Sequence, residues 1–136
     1  MSMTEDMFQE LLSRDPRYTR EAYGFVFDSL RYAQELEEQR NRSDDSGEEH
    51  HVTGAQVCEA ARFLAVTRYG MLAGCILKRW GIRKTGDLGE IVYHLIDQGL
   101  MHRTDGDHRE DFDDVFDLET ELLDSFSFRS TRERRR

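Results

Sequence analysis

A chain of 136 residues with 28 acidic and 19 basic side chains, and a formal charge of -9 at pH 7, is long enough for one domain with tails. A domain of that size buries roughly two-thirds of its unfolded surface, so its core needs no disulfide. No apolar run approaches the roughly 20 residues that cross a bilayer, and "MSMTEDMFQELL" is acidic where a signal peptide is basic, so no membrane contact and a cytoplasmic setting are expected.

The N-terminal third (residues 1–38) reads as a pair of helices. Thr4 caps the first, Glu5 and Asp6 favour its positive dipole end, and Met7, Phe8, Leu11 and Leu12 form one apolar stripe. Asp15-Pro16 ends it, because the residue before a proline is pushed out of the helical region. The second helix starts at Thr19, with Tyr18 and Tyr23 placed as a hydrophobic staple. Ala22, Phe25, Val26, Leu30 and Ala33 make its buried stripe, while Phe27 and Tyr32 lie off it and widen the apolar surface. Such width implies a helix touched on two sides, by the rest of the fold or by a second subunit.

Residues 39–50, "QRNRSDDSGEEH", contain nothing apolar and are expected to be a solvated linker or loop. Thr53 and Gln56 then form a T-x-x-Q capping box, flanked by Val52 and Val57 as a staple. Val57, Ala61, Leu64 and Ala65 follow with helical period, Gly70 interrupts, and "MLAGCILKRW" gives a short apolar helix ending at Gly81. Thr85 is the expected cap of the next helix, whose inward face is Leu88, Ile91, Val92, Leu95 and Ile96, with Gly99 just past its end. "LMHRT", "DGDH" and "DFDDVFD" read as strand, turn and returning strand over 100–116, and "LETELLDSF" as a last helix. Cys58 and Cys75 sit among apolar helical positions, so two buried thiols are expected, with a disulfide between helices as the alternative.

The charge is uneven. The tail from Arg129 holds Arg129, Arg132, Arg134, Arg135 and Arg136 against one Glu, a net of +4, which leaves -13 for residues 1–128. Such a tail is either a solvated end or a non-specific hold on RNA or a ribosomal surface, making a nucleic-acid-associated regulator the alternative function.

From Val52 to Asp117 the order helix, short helix, turn, helix, hairpin resembles a winged helix-turn-helix. The expected fold is mainly α: two N-terminal helices plus a winged-helix-like core over 51–128 with a short β-hairpin, then a tail over 129–136. The alternative is an all-α bundle. Four blocks, "RDPRYTREAYGFVFDSL", "HVTG", "WGIRKTGDLGEIVYHLIDQGL" and "EDFDDVFD", are similar to a family of short proteins reported mainly from planctomycete and verrucomicrobial bacteria. That resemblance implies a bacterial intracellular protein. The family has no assigned activity, so no functional residue is carried over from it.

A helix-turn-helix that reads DNA offers the start of its second helix to the major groove. With the apolar face turned in, the outward face here is Asp87, Glu90, His94 and Asp97, which repels phosphate, so specific duplex DNA is not the expected partner. "DGDHREDFDD" fails the calcium-loop pattern at Arg109 and "EEHH" lacks a zincin spacing, so no metal or other cofactor is expected. No nucleophile elbow, Walker loop or dinucleotide fingerprint is present, and no catalytic residue is assigned. The expectation is a non-enzymatic interaction or regulatory module with an acidic surface, meeting a protein partner or its own copy. Trp80, Ile82, Asp87, Glu90 and His94 are the candidate contact residues, against the simpler reading that Trp80 plugs the core beneath the turn.

Overall fold

The computed structural model describes residues 5–41, 52–101 and 108–124, and the chain is mainly helical. Five helices follow one another: α1 (Glu5–Arg14), α2 (Arg20–Asn41), α3 (Gly54–Tyr69), α4 (Ala73–Arg79) and α5 (Thr85–Asp97). A 3-10 turn, Gly70–Leu72, joins α3 to α4, and another, Arg109–Phe112, follows α5. A last helical segment, α6, covers 118–124, capped by the Asp117 carboxylate, which accepts from the Thr120 amide at 3.0 Å.

The starts and stops follow local chemistry. α1 stops at Asp15, where the proline intervenes. Tyr18 and Tyr23 clasp the start of α2, both fully buried, with rings edge to face at 6.3 Å. α2 runs three residues past the boundary that composition suggests. Both halves of the capping box at α3 are made: the Thr53 amide donates to Gln56 Oε1 at 2.8 Å, and the Gln56 amide donates to Thr53 Oγ1 at 3.1 Å. α4 and α5 each end in a Schellman motif on a left-handed glycine, Gly81 (φ 98°) and Gly99 (φ 76°). In each, the amide one residue beyond the glycine reaches back, Ile82 to the Leu77 carbonyl at 2.8 Å and Leu100 to the Leu95 carbonyl at 3.0 Å.

α2 and α3 are antiparallel neighbours. Phe25 meets Tyr69, Tyr32 meets Phe63, and Glu37 meets Gln56, so numbers rise along one helix as they fall along the other. Ala22, Phe25, Val26, Leu30 and Ala33 of α2 are buried, as are Val57, Cys58, Ala61 and Ala65 of α3. α5 completes the core with Leu88, Ile91, Val92 and Leu95. By length and mean hydropathy alone, Gly54–Arg79 resembles a bilayer-crossing helix. Its path is not straight, however. The Tyr69 and Trp80 rings lie 5.6 Å apart, whereas eleven residues of continuous helix would separate them by about 16 Å. The chain reverses at Gly70 (φ 57°), leaving helices of 16 and 7 residues.

Three expectations need correction. No strand occurs among the described residues, so the winged-helix hairpin is not supported. Residues 102–107 lie outside the described part, and the returning strand is instead a 3-10 turn and bends over 109–116. The apolar positions there, Phe112, Val115 and Phe116, are spaced by three and one rather than two, so one side of an irregular turn can bury them all. Phe112 lies against α5, where a Cβ on Gly89 would meet its Cβ at 2.6 Å. Second, Thr85 is not the cap of α5: it is the first helical residue, and its hydroxyl accepts from the Val115 amide at 3.2 Å. Third, Cys75 is exposed and only Cys58 is buried, because α4 turns Ala73 and Leu77 inward instead.

The Gly89 contact is testable against an internal control. Gly89→Ala should destabilise the protein by about 1–3 kcal/mol, through overpacking against Phe112. Gly24→Ala, in the middle of α2 with nothing within 4 Å of its added methyl, should stabilise it by about 0.5–1 kcal/mol through helix propensity. Urea unfolding midpoints of the two variants should move in opposite directions.

Candidate functional site

Among the described residues, two places gather chemistry, a polar cluster under α5 and a groove between α2 and α3. The cluster forms because the segment between α1 and α2 is pressed against the α4–α5 turn. The Thr19 amide donates to the Trp80 carbonyl at 3.2 Å, and Gly81 lies so close to the Arg17 carbonyl that a Cβ would sit 2.1 Å from it. This contact lays Asp15, Arg17 and Tyr18 across the polar side of α5.

Asp87 is the centre of that junction. It is 8% exposed, and it accepts from the Tyr18 hydroxyl at 2.7 Å, the Arg83 amide at 2.9 Å and the Lys84 amide at 3.2 Å. One carboxylate therefore caps α5, closes the α4–α5 turn and fastens the start of α2. Burial and the neighbouring Asp87 together push the Tyr18 hydroxyl well above the usual phenol range, so it stays a donor. Glu90, one turn on, pairs with Arg109 at 2.8 Å and lies 3.7 Å from Arg17. Arg109 also holds Asp113 at 2.7 Å, and its guanidinium is held above its ordinary range by those two carboxylates despite its own burial. His94 comes next: its Nδ1 shares a hydrogen bond of 3.0 Å with the Tyr23 hydroxyl, and its Nε2 lies 3.6 Å from Asp15. Burial raises the Tyr23 phenol to about 12. Asp15 takes a forked guanidinium from Arg17, and those hydrogen bonds hold its carboxyl below the usual range.

The five candidate contact residues fall in two groups, Trp80 and Ile82 against the apolar core and Asp87, Glu90 and His94 at the polar junction. Ile82 is 1% exposed, and Trp80 is half-buried between Phe25 and Tyr69, filling the space beneath the turn. Asp87, Glu90 and His94 do share one face of α5, and that face is covered by the α1–α2 segment. The expectation of an outward acidic face is corrected for Asp87, which is 8% exposed; Glu90 and His94 are half-buried, and Asp97 is exposed as expected. α5 looked one-sided because its second buried side is polar, and hydrophobic periodicity does not register a polar contact.

Thr85, Gly86, Asp87, Leu88 and Gly89 are all buried, partly under residues 109–116. A helix that reads a DNA groove needs those first turns exposed. The acidic loop is also committed to local structure. Asp111 accepts from the His108 amide at 3.2 Å and Asp113 pairs with Arg109, while Asp105 and Asp107 lie outside the described residues. No group of three or more metal-ligating side chains occurs among the described residues. The Cys58 thiol is pushed up to about 12 by burial. Arg129, Arg132, Arg134, Arg135 and Arg136 lie outside the described residues.

The groove has a volume of about 380 Å³. Its floor is Tyr32, Ala33 and Leu36 from α2 with Ala60 and Phe63 from α3, and its walls carry Glu37, Arg40, Glu59 and Arg62. Phe63 stacks on Tyr32 at 5.4 Å, yet is 47% exposed, and Leu36 is 39% exposed. Sequence reasoning noticed Tyr32 off the main stripe but missed Leu36 and Phe63. The available signal was that all three are large apolar residues outside the inward stripes of their helices. Comparison with protein-family models, with curated proteins and with solved structures gives no match to this chain.

Two measurements test the cluster. Asp87→Ala should cost about 3 kcal/mol, by leaving the Tyr18 hydroxyl and two backbone amides without their acceptor, and Tyr18→Phe about 1 kcal/mol. The double variant should fall short of the sum, which a urea-unfolding cycle reads directly. The lowered Asp15 carboxyl gives a pH test with a definite sign. A depressed carboxyl adds stability above its unfolded value of 3.8 and loses it as pH falls through its lower folded value. Wild type should therefore exceed Asp15→Asn in urea midpoint at pH 7, and the gap should close below pH 3.8.

Proposed function

We propose that this chain is a non-enzymatic protein-interaction module that makes its contact through the α2–α3 groove. The observation that carries this reading is Phe63: a large aromatic stacked on Tyr32, 47% exposed on a regular helix, at the edge of an apolar floor. Exposed aromatics held rigid over a concavity are the usual anchors of protein interfaces, because they offer large contact area at little conformational cost. The groove is of a size to take two or three aliphatic side chains.

The polar cluster supports the same reading from the other direction. Its carboxylates close a turn, cap a helix or pair with Arg17 and Arg109, so its groups act as ties between elements. A bacterial cytoplasm, the setting that the sequence resemblance implies, is the proposed location. The Arg-rich tail would add non-specific affinity for polyanions, which salt weakens steeply, whereas groove binding is governed by apolar contact.

The test is substitution at the groove with the fold monitored. Phe63→Ser should leave the helical circular dichroism unchanged and weaken partner binding by about thirty-fold or more, as loss of an interface anchor does. Met71→Ser, at an exposed apolar residue away from the groove, should leave binding unchanged. Loss of binding on tail deletion, with Phe63→Ser neutral, would remove the reading.

A further inference from the structure

We infer that the occupant of the α2–α3 groove is a second copy of this chain, joined about a two-fold axis that crosses the groove over Ala33 and Ala60. The inference rests on the reading of the groove as the contact surface and adds the identity of the partner.

Charge makes the first argument. The chain carries -9, so contact between copies is opposed over most of its surface. The groove is locally balanced: its walls bear two acids and two bases, Glu37 with Arg40 on α2 and Glu59 with Arg62 on α3. These are now paired along their own helices, Arg40 to Glu37 at 3.5 Å and Arg62 to Glu59. The Glu59–Arg62 pair is partly exposed, at side-chain exposures of 53% and 28%, and a pair one helical turn apart contributes little, so exchanging it for a contact between copies costs little.

Register makes the second. The contacts of Tyr32 with Phe63 and of Glu37 with Gln56 place Ala33 level with Ala60, both lining the groove. A two-fold axis crossing at that level lays each helix antiparallel over its own counterpart. Glu59 then faces Arg62 of the copy, and Leu36 faces Tyr32 of the copy, each pair centred within about one residue of the axis. A self-complementary patch is what an isologous dimer requires. Ala33 and Ala60, 5% and 2% exposed, form the floor of the groove between the helices, and Leu36 and Phe63 lose the exposure they have in one copy.

Sedimentation equilibrium of the full-length protein over a wide concentration range tests this. The expected result is a monomer–dimer equilibrium that Phe63→Ser weakens at least about ten-fold with circular dichroism unchanged, and that Met71→Ser leaves alone. Glu59→Arg and Arg62→Glu should each weaken the dimer, and the two together should restore it, because the swapped wall is again self-complementary. A purely folding defect would not be rescued in this way. A monomer at every concentration overturns the inference, as does a dimer indifferent to Phe63→Ser or a double swap no better than its parents. If the protein is monomeric and Phe63→Ser still abolishes binding of a different protein, only the identity of the occupant fails and the groove stands. If Phe63→Ser affects no association at all, both fail.

Discussion

One buried carboxylate organises the arrangement of helices. Asp87 accepts from a side chain of the α1–α2 segment and from two amides of the α4–α5 turn. A charge in that position is tolerable because three donors converge on it and it sits in the first turn of α5, where the helix dipole is positive. The same bonds decide how the N-terminal helices dock. Tyr18 is drawn onto α5, and with it come Arg17, which meets Glu90, and Asp15, which meets His94. A charged side chain with three partners is harder to replace than an apolar plug, since removing it strands every donor at once.

That docking changes what the chain shows to its surroundings. An acidic composition suggests an acidic surface, but Asp87 and Glu90 are held at contacts between elements, balanced by backbone amides and by Arg17 and Arg109. The helix that a winged-helix comparison would put in a DNA groove is covered at its first turns by residues 109–116, with Phe112 against Gly89. Between α2 and α3, exposed apolar side chains gather around a concavity, where Leu36 and Phe63 flank small residues. The hydrogen-bonded cluster and the open groove are complementary in role: one spends polar groups on holding the fold, and the other leaves apolar area for association.

Much of the local structure was legible in the residues themselves. The stop at Asp15-Pro16, the Tyr18–Tyr23 staple, the Thr53–Gln56 box, the break at Gly70 and the turns at Gly81 and Gly99 all follow from interactions within a few positions of one another, so sequence determines them directly. The inward stripes of α2, α3 and α5 were legible for the same reason: an apolar repeat at helical spacing has one way to be buried.

Tertiary structure alone decided the rest. Asp87 reads as a solvent-facing acid until Tyr18, distant in sequence, supplies its partner, and a polar contact of that kind leaves no periodic trace. The stretch "DFDDVFD", residues 111–117, reads as a strand because its residues alternate loosely. It turns instead, because Gly89 opens a place for Phe112 that no local pattern announces. Leu36 and Phe63 read as ordinary helix residues, and only the register of α2 against α3 sets them on one groove. Short-range hydrogen bonds and helical spacing were written in the chain, whereas the burial of charge and the shape of the open surface came from which distant residues met.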